Sequence, residues 1–450
     1  MNPEIPILRR AAKPLTGAPS DFDPILARAK GKRVVLLGEA SHGTHEFYRI
    51  RGEITKRLIL EEGFNAVAAE ADWPDAHRVN RYVRGTGTDW EAVEALGGFR
   101  RFPQWMWRNT DVLDFIGWLR NRNDSLRRGP EGHPEGGCPA GFYGLDLYSL
   151  NASRSAVLDY LRGHDPAVAD KVAARYECFE FFGGDTQRYG LLAGSGMSGD
   201  CEKEVTAALT ELHRGRHAFL SRDGSKEADE FFDADQNARV VRDAEEYYRT
   251  MFRSDVSSWN LRDSHMMRSL LQLMNHLEKA HGEAKVVVWA HNSHLGDASA
   301  TSMGARGELN IGQLVRAHFG EEALSVGFTT YGGTVTAASD WDGPAERKRV
   351  RAGMEGSYEE LFHETGIPSF WLDCHGDDDA RSLLRHPRLE RAIGVIYRPD
   401  TERQSHYFMA SLPDQFDGIL HYDRTRAVEP LERTIEWEAG EVDETYPSGL

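Results

Sequence analysis

Arg33-Val-Val-Leu-Leu-Gly38 and Phe64-Asn-Ala-Val-Ala-Ala-Glu70 decide how this chain folds, because one amphipathic helix separates them. The first run is short, apolar and closed by Gly38, the mark of a buried strand. Behind it Phe47, Ile50, Ile54 and Leu58 recur at helical spacing. Ser41 and Thr44 are suitable N-caps, and Gly63 supplies the stop. The second run is another buried strand. Strand, helix, strand between residues 33 and 70 is a βαβ unit, so the two strands lie parallel and connect right-handedly.

Similar runs recur downstream. Gly141-Phe-Tyr-Gly-Leu-Asp146 and Lys285-Val-Val-Val-Trp-Ala-His291 are clear, and residues 323–330, 369–373 and 392–397 are weaker. Helical patterns cover 105–120 and 261–279, the latter with Met267, Leu270, Leu271, Met274 and Leu277 on one face. The alternation predicts an α/β class: a largely parallel central sheet flanked by helices. Between the strands near 141 and 285 the pattern is helical (156–162, 167–182, 203–221, 228–252), broken by a Gly-rich stretch at 183–200. This predicts a helical lobe, residues 151–284, inserted into a core domain built from 1–150 and 285–450. Residues 127–138 read as a turn-rich surface loop.

Composition bounds the function. Of the 450 residues 40% are hydrophobic and 28% charged, as in ordinary globular proteins. Lys plus Arg total 54 against 71 Asp plus Glu, a net charge of −17, which argues against nucleic acid or anionic lipid as a partner. No run approaches the roughly 20 apolar residues of a membrane helix. The N-terminal MNPEIPILRRAAKPLTG lacks an apolar signal core, so a cytoplasmic location is expected. The four cysteines, Cys138, Cys178, Cys201 and Cys374, form no CxxC pair and read as free thiols.

Ligands of open parallel sheets bind beyond the carboxyl ends of the strands. Those ends carry Gly38-Glu39-Ala-Ser-His42-Gly-Thr-His45-Glu46, Glu70-Ala-Asp72, Asp146, His291-Asn-Ser-His294 and Tyr397-Arg398. One charged ending is ordinary, whereas a series of them makes a cluster suited to acid–base work. Arg51, on the helix after His42, would reach back to bind an anion or an oxyanion. Each residue also has a plainer reading. Glu39 would cap a helix, His42 would be a solvated turn residue, Arg51 a charge on a solvated face, and His291 and His294 structural donors. No GxSxG elbow is present, and His45-Glu-Phe-Tyr-Arg49 has Arg where HExxH needs its second histidine. Neither GxxxxGK[ST] nor a strand-borne GxGxxG occurs, so no cofactor is expected and a hydrolase would activate water directly.

Gly38-Glu-Ala-Ser-His-Gly-Thr-His-Glu-Phe-Tyr48, Ala69-Glu-Ala-Asp-Trp73 and Trp289-Ala-His-Asn-Ser-His294 together closely resemble the erythromycin esterases, over nearly the whole chain. Arg101-Phe-Pro-Gln-Trp-Met-Trp107, Gly144-Leu-Asp146 and Trp259-Asn-Leu-Arg-Asp263 extend the likeness. The resemblance implies a hydrolase of small-molecule esters, a macrolide lactone among them, working without covalent serine or obligate metal. His42 is then the general base, with Glu39, Glu70, Arg51 and His291 as the surrounding catalytic groups. His294, Asp146, His45 and Trp105 are expected to bind or orient the substrate. Two other readings stand beside this one. His42-x-x-His45 and His291-x-x-His294, with Glu39 and Glu70, supply enough ligands for a metal-dependent hydrolase. A binding protein would keep the same constellation without turnover. No oligomeric state is read from the chain.

Overall fold

In the computed structural model, residues 3–127, 138–220 and 224–440 are described. A nine-stranded sheet organises them. Its strands are β1 (Lys13–Pro14), β2 (Val34–Leu37), β3 (Ala66–Asp72), β4 (Gly141–Asp146), β5 (Val286–Trp289), β6 (Ala323–Ala337), β7 (Glu346–Val350), β8 (Ser369–Asp373) and β11 (Gly418–Thr425). The order is β1-β8-β11-β6-β2-β5-β3-β4, with β7 paired to the far end of β6. The six strands from β11 to β4 are mutually parallel, and β8, β1 and β7 pair antiparallel. A separate hairpin joins β9 (Arg388–Arg391) to β10 (Tyr407–Ala410). The largely parallel sheet demanded by the βαβ pattern is present.

Every residue of β2, β3, β4 and β5 is buried, because helices cover both faces of the sheet. Alternate side chains part to opposite faces. Val35, Leu37, Val67, Ala69, Val287 and Trp289 pack beneath α1 (His45–Glu61) and α3 (Thr110–Arg127) with Phe47, Ile54, Leu58, Phe115 and Leu119. Their neighbours Val34, Leu36, Ala66, Ala68, Val286 and Val288 pack on the other face. Between β3 and the segment leading to α3 lies α2 (Trp73–Val83).

Six helices follow β4 among the described residues: α4 (Leu150–His164), α5 (Pro166–Tyr176), α6 (Thr186–Gly194), α7 (Glu202–Leu220), α8 (Gly224–Thr250) and α9 (Asp255–His281). The first five enclose their own apolar cluster, with Val157, Leu161, Val172, Tyr176, Tyr189, Leu212 and Val241 at its centre. Helix α9 is different, since Met266, Leu270, Leu273, Met274 and Leu277 lie directly on the sheet beside α10 (Ile311–Phe319). No described helix is long and apolar enough to cross a membrane.

Several expectations need correction. Residues 392–397 make no strand; they run past the strand ends with isolated bridges from Ile393 to Ser41 and from Ile396 to Ala338. The Gly-rich stretch 183–200 is not merely a break, because Asp185 caps α6 within it by accepting from the Arg188 N–H. Cys178 and Cys201 are disulfide-bonded across that excursion, so only Cys138 and Cys374 are free thiols. No motif marks this pair; only the return of the chain after α6 brings them together. The loop expected at 127–138 falls mainly on 128–137, outside the described residues.

Candidate active site

Two loops meet at the carboxyl ends of the central strands. One leaves β2 as Gly38-Glu-Ala-Ser-His42, and the other leaves β5 as Ala290-His-Asn-Ser-His294. Asn292 locks them together. Its backbone N–H donates to the Glu39 carbonyl (2.8 Å), and its side-chain amide donates to the Phe328 carbonyl on β6 (2.7 Å). The approach is so close that a Cβ on Gly38 would sit 2.2 Å from Asn292 Oδ1. Only glycine fits there.

A buried line of charge begins behind the first loop. Arg51 is 0% exposed, between the ring faces of Tyr48 (4.5 Å) and Trp289 (5.3 Å). Its Nη2 lies 3.1 Å from Glu39 Oε2, and Glu39 Oε1 accepts from His42 Nδ1 at 3.0 Å. His42 turns its other edge towards a cavity of about 500 Å³, which neither Glu39 nor Arg51 lines. Arg51 therefore does not reach substrate as the sequence suggested; it steadies Glu39. Glu39 in turn is no helix cap but fixes the imidazole with its proton on Nδ1. Thr44, the N-cap residue of α1, pairs its hydroxyl with Ser41 and makes no side-chain cap.

A second network enters from α9. Arg262 donates to both oxygens of Asp146 (3.0 and 2.6 Å) and to Glu70 Oε1 (2.7 Å). Its Nη1 lies 2.8 Å from His294 Nε2, where the guanidinium donates and the imidazole accepts. His294 Nδ1 then faces fully buried Asp263 (2.9 Å), and its ring stacks on Trp259 (4.4 Å). Burial opposes ionisation of Glu70, but His294, Arg262 and His42 hold its carboxyl well below the ordinary range. Asp146 is likewise lowered against burial, chiefly by Arg262.

Between the networks lies His291, its ring 4.8 Å from that of His42. Its backbone N–H donates to Glu70 Oε2 (2.9 Å), and its Nδ1 accepts from the Ser293 N–H (3.2 Å). Burial first, and His42 second, depress its basicity well below the usual histidine value. His291 is thus a neutral imidazole, and its buried Nε2 has no hydrogen-bond partner within the protein.

The remaining lining combines apolar residues, Phe99, Phe102, Pro103, Met106, Trp107, Trp341, Val395 and Phe408, with polar ones such as Arg101, Arg306, Gln404 and His406. Asp72 and Asp75 also face it. Arg101 grips Asp72 with two hydrogen bonds (2.9 and 3.2 Å). Burial and the Asp72 charge raise the Asp75 carboxyl to about 7.

The structure thus gathers His42, Glu70, Asp146, His291 and His294 around the cavity, with Glu39 and Arg51 behind. Two expected residues lie elsewhere. His45 begins α1 and turns towards α3, pairing with Asp111 (2.8 Å) in a separate cavity of about 300 Å³. Trp105 is buried in the core and faces a smaller cavity with Gln104 and Pro430, whereas its neighbours Met106 and Trp107 line the main one. Nor does the Tyr397-Arg398 ending join the cluster: Tyr397 is buried on Glu402, and exposed Arg398 pairs with Asp340. Arg262, Asp263 and Asn292 were not singled out from the sequence; the first two are adjacent charges on the amphipathic helix α9. Among the described residues no group of three His, Cys, Asp or Glu side chains is disposed to hold a metal ion. With His45 turned away and His294 engaged on both nitrogens, the two HxxH pairs do not converge.

A family model described as Erythromycin esterase matches residues 59–425. The erythromycin esterase type II of Escherichia coli is 23% identical over 432 residues, spanning 91% of this chain and 93% of its own. A solved Bacillus cereus protein has a TM-score of 0.77 at 19% identity, over 96% of this chain and 99% of its own. A mutant of the erythromycin esterase EreC in its open conformation has a TM-score of 0.61 at 18% identity, over 92% and 95%. At such identities the solved structures establish a shared fold.

Proposed function

The chain belongs to the erythromycin esterase family and is accordingly a hydrolase, and from that premise we propose that it cleaves a carboxylic ester with water activated by His42. One observation carries the reading. His42 faces the cavity with a buried carboxylate on its Nδ1 and a buried guanidinium behind that carboxylate. The neutral imidazole offers Nε2 as base. Water attacks the ester carbonyl carbon while its proton passes to Nε2, and Glu39 stabilises the imidazolium that forms. The charge developing on the carbonyl oxygen calls for a preorganised donor, and His291 Nε2–H is available for it. Collapse expels the alkoxide, which takes the proton back from His42, leaving acid and alcohol.

The guanidinium of Arg262 is spent on Asp146, Glu70 and His294, so its role is to hold the second network rigid. A macrolide lactone is the first ester to test, because the E. coli relative carries that substrate in its name. Purified, chelator-treated protein is incubated with erythromycin and with a panel of simple esters, and products are weighed by mass spectrometry. A gain of one water that His42→Ala protein fails to produce is expected for at least one ester. Undiminished hydrolysis by that variant would overturn the assignment.

A further inference from the structure

Trp341 lines the catalytic cavity although 51% of it remains exposed, so it stands where the cavity meets solvent. A large aromatic surface left in water beside a catalytic cavity is unused contact area. The indole is not loose. It packs edge-on against Phe102, with ring centroids 5.1 Å apart. Its loop between β6 and β7 is braced where Arg398 donates to the Ser339 carbonyl (2.9 Å) and pairs with Asp340. Phe102 continues into a wall whose inner members, Phe99 and Trp107, are buried and in mutual ring contact at 6.1 Å. An apolar strip thus runs from solvent to the interior of the cavity. Most of the charged lining is engaged within the protein: Glu70 and Asp146 hold Arg262, and Asp72 holds Arg101.

We propose that Trp341 and Phe102 form the specificity-determining subsite, taking the hydrocarbon part of the ester, on either its acyl or its alcohol side. The assignment rests on the ester-hydrolase reading. Each methylene covered by this surface raises kcat/KM by up to about 4-fold. Trp341 is exposed enough for its removal to leave the core intact.

The test compares wild type and Trp341→Ala on 4-nitrophenyl esters from acetate to decanoate, and on acetates of alcohols of increasing length. The arm that responds identifies the side of the ester bound. In the variant, the longest esters lose about 10-fold or more in kcat/KM, through KM, relative to whatever the acetate loses. Equal losses on short and long esters overturn the subsite. A binding readout separates this proposal from the catalytic one. Methyl octanoate and octyl acetate are each titrated calorimetrically into His42→Ala protein with and without Trp341→Ala. Binding of either one about 10-fold weaker without the indole supports the subsite even if no ester is hydrolysed, and equal binding of both overturns it.

Discussion

Replacing Arg262 by Met keeps an unbranched apolar stem and removes the guanidinium that Glu70, Asp146 and His294 share. The two carboxylates are 5% and 4% exposed, so solvent compensates the lost donor only weakly. Deleting one partner of a buried ion pair costs roughly 3–5 kcal/mol, because the other charge stays buried. With an unfolding entropy of about 2 cal/mol/K per residue, that is a fall in Tm of about 3–5 °C for a chain of this length. The pH dependence is more diagnostic. In the wild type both carboxyls titrate below their ordinary values. Their contribution is therefore complete above the unfolded pKa of about 4 and is lost as the pH falls. In the variant burial acts on Asp146 with little to oppose it, so that carboxyl rises, whereas Glu70 keeps His294, His42 and the His291 N–H. The native state then binds protons more tightly than the unfolded chain, so Arg262→Met protein becomes more stable as pH falls from about 7 to about 5. Melting curves followed by circular dichroism from pH 5 to 8 read both effects. A variant that melts within about 1 °C of the wild type, or whose Tm tracks wild type across this range, would refute the shared-cation argument.

Glu39→Gln should keep the fold while lowering kcat by about 10²–10⁴-fold, since the amide cannot stabilise the imidazolium of His42; pre-steady-state rates on the best ester measure it. Asp75, raised to about 7, favours its protonated form in the folded state, so its contribution is present below the unfolded pKa and fades as pH rises through 7. Asp75→Asn should accordingly gain stability over wild type on going from pH 5 to 8, on the order of 1–2 kcal/mol by chemical denaturation. His45→Gln should leave kcat/KM within about 2-fold, because His45 serves Asp111 outside the catalytic cavity; a loss beyond 10-fold would restore it to the site.

The elements most legible in the sequence were those whose pattern had a single physical explanation. Strands β2 to β5 are buried on both faces and read as unbroken apolar runs. In β11 the run is interrupted by polar residues that the fold buries, such as His421 on Thr329. Residues 392–397 show the converse: an apolar run signals burial, but here Ile393 and Tyr397 are buried without a ladder while Ala392, Gly394 and Val395 stay half-buried as cavity wall. The strand-end residues were visible because charge follows directly on an apolar run. Arg262 was not, because a charge on a helix normally reads as solvated, and only the seating of α9 on the sheet brings it to Glu70.

The two buried charges behind the site nevertheless share a mark in the sequence. Arg51 interrupts the stripe Phe47, Ile54, Leu58 on α1, and Asp263 extends the stripe Met266, Leu270, Leu273 on α9. A charge at a stripe position must be buried with the stripe, and it persists there only with a partner of opposite sign or a hydrogen-bonding ring. Arg51 meets Glu39, which holds His42, and Asp263 meets His294, which receives Arg262. In both helices the residue that violates the apolar pattern stands behind an imidazole that faces the cavity. Neither Arg51 nor Asp263 lines the cavity, so each reaches it only through its partners and the ring they hold.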